Sequence, residues 1–207
     1  MNILLAIFVA DINLTSMHDK LLQYIHSNYH FSQKEIEMVQ HYFEPVSFSK
    51  NIVIEEAGKV PNYLYYIVSG YLRLFYMDEN GNEITTHINC PPGFFTSYSH
   101  FISETVSDHN VECVTACELL RITKENLDHL VKQSHAMKDF SISVFQHSIA
   151  YNENRSRELS TLNAEQRYLK LLKDYPEIIQ HVPIQYIASF LGMKPESLSR
   201  IRRKIIN

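Results

Sequence analysis

The stretch IQYIASFLGMKPESLSRIRR, residues 184–203, has the residue pattern of two short helices joined by a tight turn. The small and apolar residues that such a helix pair needs are Ile187, Ala188, Leu191, Gly192, Met193, Leu198 and Ile201. Ala188 lets the helices approach closely, Gly192 can adopt the positive φ of the turn, and Pro195 suits the first position of a helix. The sequence therefore predicts a helix-turn-helix.

The second helix of this pair is predicted to be amphipathic, because Leu198, Ile201 and Ile205 share one face at about 100° per residue. The residues on the opposite face are Glu196, Ser199, Arg200 and Arg203. Arginine can form paired hydrogen bonds with guanine, and glutamate can accept one from cytosine, so this face is predicted to read DNA bases. The flanking residues predicted to contact phosphates are Lys194, Ser197, Arg202 and Lys204. The alternative is an ordinary helical hairpin with a solvated basic face.

The charge of the 207-residue chain is distributed unevenly. Residues 155–207 carry ten Lys and Arg against five Asp and Glu, a net charge of +5, whereas residues 1–154 carry nine against eighteen, a net charge of −9. The sum of −4 argues against a protein that coats nucleic acid over its whole surface. Positive charge gathered around the helix-turn-helix is typical of a local DNA-binding site.

The cysteines Cys90, Cys113 and Cys117 are odd in number and lack CxxC spacing, so we expect reduced thiols in a cytoplasmic protein. Four thiolates for an iron–sulfur cluster are not available within one chain. His26 and His30 are spaced as two ligands on a helix, but the spacing offers them no carboxylate or thiolate partner. No metal and no cofactor are predicted.

The apolar segment MNILLAIFVA at residues 1–10 has no basic residue before it and runs into Asp11 without the cleavage site of a signal peptide. It is too short to cross a bilayer, so no membrane partner is predicted. We expect Met17 to be the natural start and residues 1–16 to be an upstream extension. Mass spectrometry of the native N-terminus tests this expectation.

Residues 17–43 have the apolar spacing of helices, and Ser32 with Glu35 matches a capping box. Between residues 46 and 122 the chain changes to short segments rich in Val, Ile, Tyr and Phe. The sequence DENGN at 78–82 is typical of a hairpin loop between two such segments. Short strands at regular spacing predict a β-barrel or jelly roll of about 75 residues.

The stretch from about Met137 to Leu162 is predicted to form one long helix. The residues that step along it by 3, 4, 3, 4 and 3, the spacing of a coiled-coil seam, are Ile142, Phe145, Ile149, Asn152, Ser156 and Leu159. A neighbouring face with Phe140 and Val144 can pack on the strands. The remaining seam predicts a two-fold dimer through the same helix of a second chain. A single helix buried on two sides in a monomer is the alternative, because the C-terminal end of the seam is polar.

This order of parts resembles the Crp/Fnr family of bacterial transcription regulators over residues 17–207. Its most specific motifs are PESLSRIRRKI at 195–205 and the turn from Ser69 to Leu72 within YYIVSGYLRL at 65–74. The resemblance implies an α+β fold with an N-terminal β-roll of the cyclic-nucleotide-binding type, a double-stranded β-helix or jelly roll. It also implies a homodimer joined through the long helix, a two-fold symmetric DNA site and contact with RNA polymerase.

The resemblance divides the chain into a sensor β-roll domain at 17–135, a dimerisation helix at 136–162 and a small all-α helix-turn-helix domain at 163–207. A Crp/Fnr recognition helix is usually followed by a β-hairpin wing. Since this sequence stops at Asn207, a full wing is expected to be absent.

The sequence departs from the family members that bind cyclic nucleotides, which hold ribose and phosphate with a Gly-Glu-Leu turn followed by Arg-Ser or Arg-Thr. The matching places read Gly93-Phe94-Phe95 and Ser107-Asp108, and an aspartate has the wrong charge to hold a phosphate. The effector is therefore unknown and is not expected to be cyclic AMP. The residues predicted for an effector pocket are Phe94, Phe95, Tyr98, Ser107 and Asp108, although aromatic residues near a barrel are commonly core.

Two rival functions stay open. One is a cyclic-nucleotide-responsive regulator whose phosphate is held by other residues. The other is a cupin-type metal-dependent enzyme, since cupins are also β-rolls. Such an enzyme needs clustered ligands, whereas His87, His100 and His109 are singly placed and form no H-x-H pair. We therefore predict no catalytic residues.

Overall fold

The structure is a computed structural model that describes residues 17–206. Residues 17–26 are helical and are called α1, and α2 spans Gln33–Tyr42. The predicted capping box at the start of α2 is present, with the Ser32 amide donating to Glu35 Oε2 at 2.7 Å. The predictions for residues 1–16, and for the chain beyond the last helix, lie outside the described residues.

Eight antiparallel strands follow and confirm the predicted jelly roll. They are β1 Glu44–Phe48, β2 Ile52–Glu55, β3 Tyr63–Ser69, β4 Leu72–Met77, β5 Glu83–Asn89, β6 Gly93–Phe95, β7 Asn110–Cys113 and β8 Cys117–Thr123. One sheet has the order β1-β8-β3-β6 and the other β2-β7-β4-β5, so β5 and β6 are edge strands. The core between the sheets includes Tyr65, Ile67, Leu72, Val111 and Leu119.

The turn between β3 and β4 requires glycine. Gly70 has φ +94°, and a Cβ built on it would lie 2.5 Å from the Ala116 carbonyl oxygen. The next turn, between β4 and β5, is the predicted hairpin loop, in which Asp78 Oδ1 accepts from the amides of Asn80 and Asn82 at 2.9 and 2.8 Å.

The remaining helices are α3 Tyr98–Ser103, α4 Lys124–Gln133, α5 His135–Thr161, α6 Ala164–Asp174, α7 Pro176–His181, α8 Ile184–Phe190 and α9 Pro195–Ile206. The predicted long helix is α5, which begins two residues before the predicted start because Ser134 caps it through the Met137 amide. None of the helices within residues 17–206 combines the length and the apolar character needed to cross a membrane.

The helices pack on the β-roll in two places. The first half of α5 packs with α1, α2 and α4 against the first sheet, in a cluster that includes Leu21, Val39, Leu120 and Phe140. The C-terminal helices form a second cluster, which is completed by Ile88 of β5, by Val114 just after β7 and by Tyr71 just before β4. The C-terminal helices therefore lie directly against the β-roll.

Candidate DNA-reading face and β-roll cavity

The predicted helix-turn-helix is formed by α8 and α9. Gly192 has φ +65° in the turn, as the sequence predicted, and Ala188 and Leu198 are fully buried between the helices. Arg167 of α6 fastens this turn, because its Nε donates to the Leu191 carbonyl oxygen at 2.8 Å. The orientation of α9 is thus fixed by both packing and a charge-assisted hydrogen bond.

The face of α9 predicted to read bases is open to solvent. Glu196, Arg200 and Arg203 are exposed and Ser199 is half-buried, whereas Leu198 on the opposite face is completely buried. Two arginines and one carboxylate therefore project from one side of a rigidly held helix, and a major groove admits a helix of this kind.

The four flanking residues differ in their surroundings. Lys194 is exposed at the turn, and Ser197 and Arg202 are half-buried. Lys204 is exposed but forms an ion pair with Glu165 of α6, with Nζ to Oε2 at 3.0 Å. An exposed pair of this kind contributes little stability, so the Lys204 amine can exchange the carboxylate for a phosphate.

The residues of the predicted coiled-coil seam differ in solvent exposure and in their contacts. Ile142, Ile149 and Leu159 are 42%, 59% and 44% exposed, which is unusual for aliphatic side chains spaced along one helix. Phe145 is half-buried, and its ring packs edge-on against Tyr98 at a centroid distance of 5.9 Å.

The polar members of the seam are Asn152 and Ser156, both of which are exposed. Asn152 reaches the β-roll of its own chain, where its Oδ1 lies 2.6 Å from His87 Nε2. Ile142 and Ile149 are therefore largely uncovered within residues 17–206, whereas Leu159 lies beside the turn at Gly192, where a built Cβ would be 3.4 Å from its Cδ2.

A cavity of about 430 Å³, here called the β-roll cavity, lies between β5, the segment from β6 to α3, and the middle of α5. Phe94, Phe95 and Tyr98, three of the residues predicted for an effector pocket, line this cavity. Tyr151 and Asn152 of α5 close it on the other side. The cavity therefore touches both the β-roll and the long helix.

Ser107 and Asp108, also predicted for this pocket, do not line the β-roll cavity. Ser107 is buried and folded back on the preceding segment, with its Oγ 3.1 Å from Ser97 Oγ. Asp108 points outward with a side chain that is 76% exposed, and its Oδ1 lies 2.5 Å from His109 Nδ1. Local hydrogen bonds hold both residues away from the cavity.

Four histidines line the β-roll cavity, namely His87, His100, His109 and His147. Burial lowers the pKa of His87 to about 4, so its ring is neutral near pH 7. The three histidines that are singly placed in sequence are thus gathered by the fold. Within residues 17–206, however, no group of three or more His, Cys, Asp or Glu is arranged to hold a metal ion.

A cation–π contact that the sequence did not predict links the β-roll to α8. Arg73 of β4 is only 1% exposed, and its guanidinium forms ion pairs with Glu83 and Glu112. The Tyr186 ring of α8 covers one side of this guanidinium at 3.6 Å, and the Phe75 ring lies 4.0 Å from it. A desolvated cation against an aromatic ring is worth about 2 kcal/mol, so Tyr186 is a strong attachment point for α8.

Helix α8 also covers the open edge of β5. The Thr85 amide donates to Ser189 Oγ at 2.8 Å, which satisfies a backbone group on an edge strand. Arg155 of α5 donates through Nε to the Thr86 carbonyl oxygen at 3.0 Å and also to the Phe190 carbonyl oxygen. A strand that lines the β-roll cavity is therefore joined to the helix-turn-helix.

The sequence did not predict these attachments, because the partners belong to elements that lie far apart along the chain. Arg73 looks like a residue of an ordinary strand, and Arg155 like a surface residue of a long helix. The single available signal was a charged residue within an otherwise apolar strand, which needs a buried partner.

Residues 45–134 match the family described as the cyclic nucleotide-binding domain. This range contains almost the whole β-roll together with α3 and α4. No curated protein sequence matches the chain significantly.

Solved structures match over most of the chain. FixK2 from Bradyrhizobium japonicum has a TM-score of 0.69 at 15% identity, with 79% of this chain and 84% of that chain covered. The global regulator CLP from Xanthomonas campestris, described as c-di-GMP responsive, has a TM-score of 0.63 at 20% identity, with 84% and 91% covered. A Crp/Fnr-family transcriptional regulator from Thermus thermophilus has a TM-score of 0.59 at 20% identity, with 79% and 86% covered.

The chain has the Crp/Fnr fold. The resemblance stated from the sequence is confirmed at this level, because the β-roll, the long helix and the helix-turn-helix are present in that order. Residues 17–206 contribute no Lys or Arg to the lining of the β-roll cavity.

Proposed function

We propose that the protein is a sequence-specific DNA-binding transcription regulator of the Crp/Fnr type. The observation that carries the proposal is the solvent-open face of α9, where Glu196, Arg200 and Arg203 project opposite a fully buried Leu198. Solubility alone does not require two arginines and a glutamate on the same face of α9, whose orientation is fixed by packing. The positive charge of residues 155–207 supports binding to a polyanion.

We also propose that the working form is a homodimer joined along α5. The exposed aliphatic residues Ile142, Ile149 and Leu159 supply the apolar part of the contact. A two-fold axis along this helix would set two copies of α9 about 34 Å apart, so that each reads one half-site. Contact with RNA polymerase belongs to the same proposal and would occur on the DNA-bound dimer.

We propose that residues 17–135 form a sensor β-roll domain, that residues 136–162 form a dimerisation helix and that residues 163–207 form a DNA-binding domain. An effector that enters the β-roll cavity would touch α5 through Tyr151 and Asn152. The bound effector would shift the two α5 helices of the dimer relative to each other. This shift would change the distance between the two recognition helices.

A second candidate is a cyclic-nucleotide-responsive regulator, which the family match over residues 45–134 favours. A cyclic phosphate needs cationic or well-aimed N–H donors, and the described chain gives the β-roll cavity no cationic side chain other than its histidines. Isothermal titration with cyclic AMP and cyclic GMP distinguishes the two candidates. Submicromolar binding of either nucleotide would refute our preference.

The DNA-binding proposal is tested with a site selected from random DNA. Arg200→Ala is expected to weaken binding to that site by roughly 1–3 kcal/mol and to relax base preference, because a base contact is lost. Lys204→Ala is expected to weaken binding to matched and scrambled sites alike. Lys132→Ala, which removes an exposed charge from α4, is the control and should change neither. Equal losses on both sites for Arg200→Ala would show that the assigned face does not read bases.

A further inference from the structure

The lining of the β-roll cavity has a distinctive chemistry. It consists of aromatic, aliphatic and neutral polar side chains together with four histidines, and no Lys, Arg, Asp or Glu of the described residues belongs to it. Its volume of about 430 Å³ falls within the range of about 300–1,000 Å³ that is common for small-molecule pockets. An anion that left water for this cavity would lose its hydration without gaining an opposite charge. The cavity therefore favours a neutral ligand.

The apolar part of the lining favours a ligand with rings. Phe94 and Phe95 are buried, and Tyr98 and Tyr151 add two further ring faces from opposite sides of the cavity. Burial raises the pKa of both tyrosines, so their phenols stay neutral. Aromatic rings prefer offset or edge-on contact with other rings, which a flat ligand can satisfy.

The histidines define the polar groups that such a ligand needs. His147 Nδ1 lies 2.7 Å from the Ser143 carbonyl oxygen, which can only accept, so Nδ1 carries the proton. His109 Nδ1 lies 2.5 Å from an Asp108 carboxylate oxygen, and the same argument applies. When either imidazole is neutral, its Nε2 is an acceptor that can serve a ligand.

His87 is already engaged within the chain. Its Nε2 meets Asn152 Oδ1 at 2.6 Å, and its Nδ1 meets Thr86 Oγ1 at 3.1 Å. His100 Nδ1 lies 3.0 Å from Ser97 Oγ, a hydroxyl that can donate or accept, so this contact does not set its tautomer. The acceptors whose tautomer the structure sets are therefore Nε2 of His109 and Nε2 of His147. A ligand that matches them must bring hydrogen-bond donors of its own.

We propose that the β-roll cavity binds a neutral, ring-bearing, apolar molecule that carries hydroxyl or N–H donors, which hydrogen-bond to His109 and His147. This proposal rests on the sensor role assigned to the β-roll and names the class of its ligand. The titrations that test it use the free protein without DNA. A failure here therefore leaves the DNA-binding result standing, and a failure of DNA binding does not affect these titrations.

Three probes with the same two-ring framework test separately whether the ligand must be neutral and whether it must carry hydrogen-bond donors. They are 4,4′-dihydroxybiphenyl, which has donors, 4,4′-dimethoxybiphenyl, which has none, and biphenyl-4,4′-dicarboxylate, which is an anion. Isothermal titration of the intact protein is expected to show binding of the diol, with the dimethoxy compound weaker by about tenfold because an acceptor in the cavity is left unpaired. The dicarboxylate and cyclic AMP should bind more weakly than either neutral probe.

Two variants and one control place the binding in the cavity. Ser148→Phe fills the cavity from α5 and should abolish binding of both neutral probes. His147→Phe should weaken the diol by about fivefold to tenfold while leaving the dimethoxy probe unchanged, since only the acceptor is lost. His135→Phe makes the same replacement at an exposed position at the start of α5, outside the lining, and should change nothing.

The proposal is overturned if the dicarboxylate or cyclic AMP binds as tightly as the diol, or if the diol shows no binding up to about 1 mM. It is also overturned if the diol and the dimethoxy probe bind equally, or if Ser148→Phe keeps its fold and still binds the diol with unchanged affinity. Thermal unfolding of each variant, compared with the unchanged chain, separates a filled cavity from a misfolded protein.

Discussion

Replacing Tyr186 with leucine is expected to loosen the contact between the β-roll and the helix-turn-helix. The Tyr186 ring lies 3.6 Å from the guanidinium of Arg73, which is buried and stays paired with Glu83 and Glu112 in the variant. Leucine keeps part of the apolar contact but removes the ring, so the docked state should lose about 1–2 kcal/mol. Every opening of this contact should then become about fivefold to thirtyfold more frequent.

The Thr85 amide reports this opening directly, because it donates to Ser189 Oγ across the contact at 2.8 Å. Amide hydrogen exchange at Thr85 should accelerate by the same factor in Tyr186→Leu. Tyr63→Leu is a matched control, since it removes a ring that lies 4.3 Å from the Arg121 guanidinium within the β-roll. Unchanged exchange in Tyr186→Leu, or equal acceleration in Tyr63→Leu, would show that the Tyr186 ring does not hold α8 on the β-roll.

Three further predictions concern stability and assembly. Gly70→Ala should lower the free energy of unfolding by more than about 2 kcal/mol in denaturant titrations, because its Cβ would strike the Ala116 carbonyl oxygen at a positive φ. Burial raises the pKa of Glu55 to about 8, so the folded state keeps a proton that the unfolded chain releases near its ordinary value of 4.5. The free energy of unfolding should therefore fall as the pH rises from about 5 to about 8, and Glu55→Gln should remove this fall. Ile149→Glu should shift sedimentation toward a monomer, whereas Val106→Glu, at an exposed apolar site off α5, should not.

The helix-turn-helix could be predicted from the sequence because its determinants are local. Gly192 for the turn, Pro195 for the start of α9 and the buried stripe with Leu198 all lie within one short stretch, and the structure confirms these three assignments. The capping box at Ser32 is equally local. Such features depend on neighbours that periodicity and residue type reveal.

The arrangement around the cavity could not be predicted, because it depends on contacts between distant parts of the chain. The prediction of a pocket from Phe94 to Tyr98 agrees with the lining, but the turn that carries Ser107 and Asp108 folds onto itself instead. Asn152 is predicted on the dimer seam, which stays a prediction, and its Oδ1 also lies 2.6 Å from Nε2 of His87, a contact across 65 residues that periodicity does not reveal. Periodicity shows which residues share a helix face, and it does not show which domain that face meets.

We propose that α9 reads DNA as one half of a symmetric pair. Selection from random-sequence DNA by the full chain tests it most directly. The full chain is expected to enrich a two-fold symmetric sequence whose half-site centres lie about one helical turn, or 10–10.5 base pairs, apart. The Arg200→Ala variant is expected to lose the base preference at the position that Arg200 contacts. If no sequence is enriched, or if a single asymmetric element is enriched equally well by Arg200→Ala, α9 does not read DNA as one half of a symmetric pair.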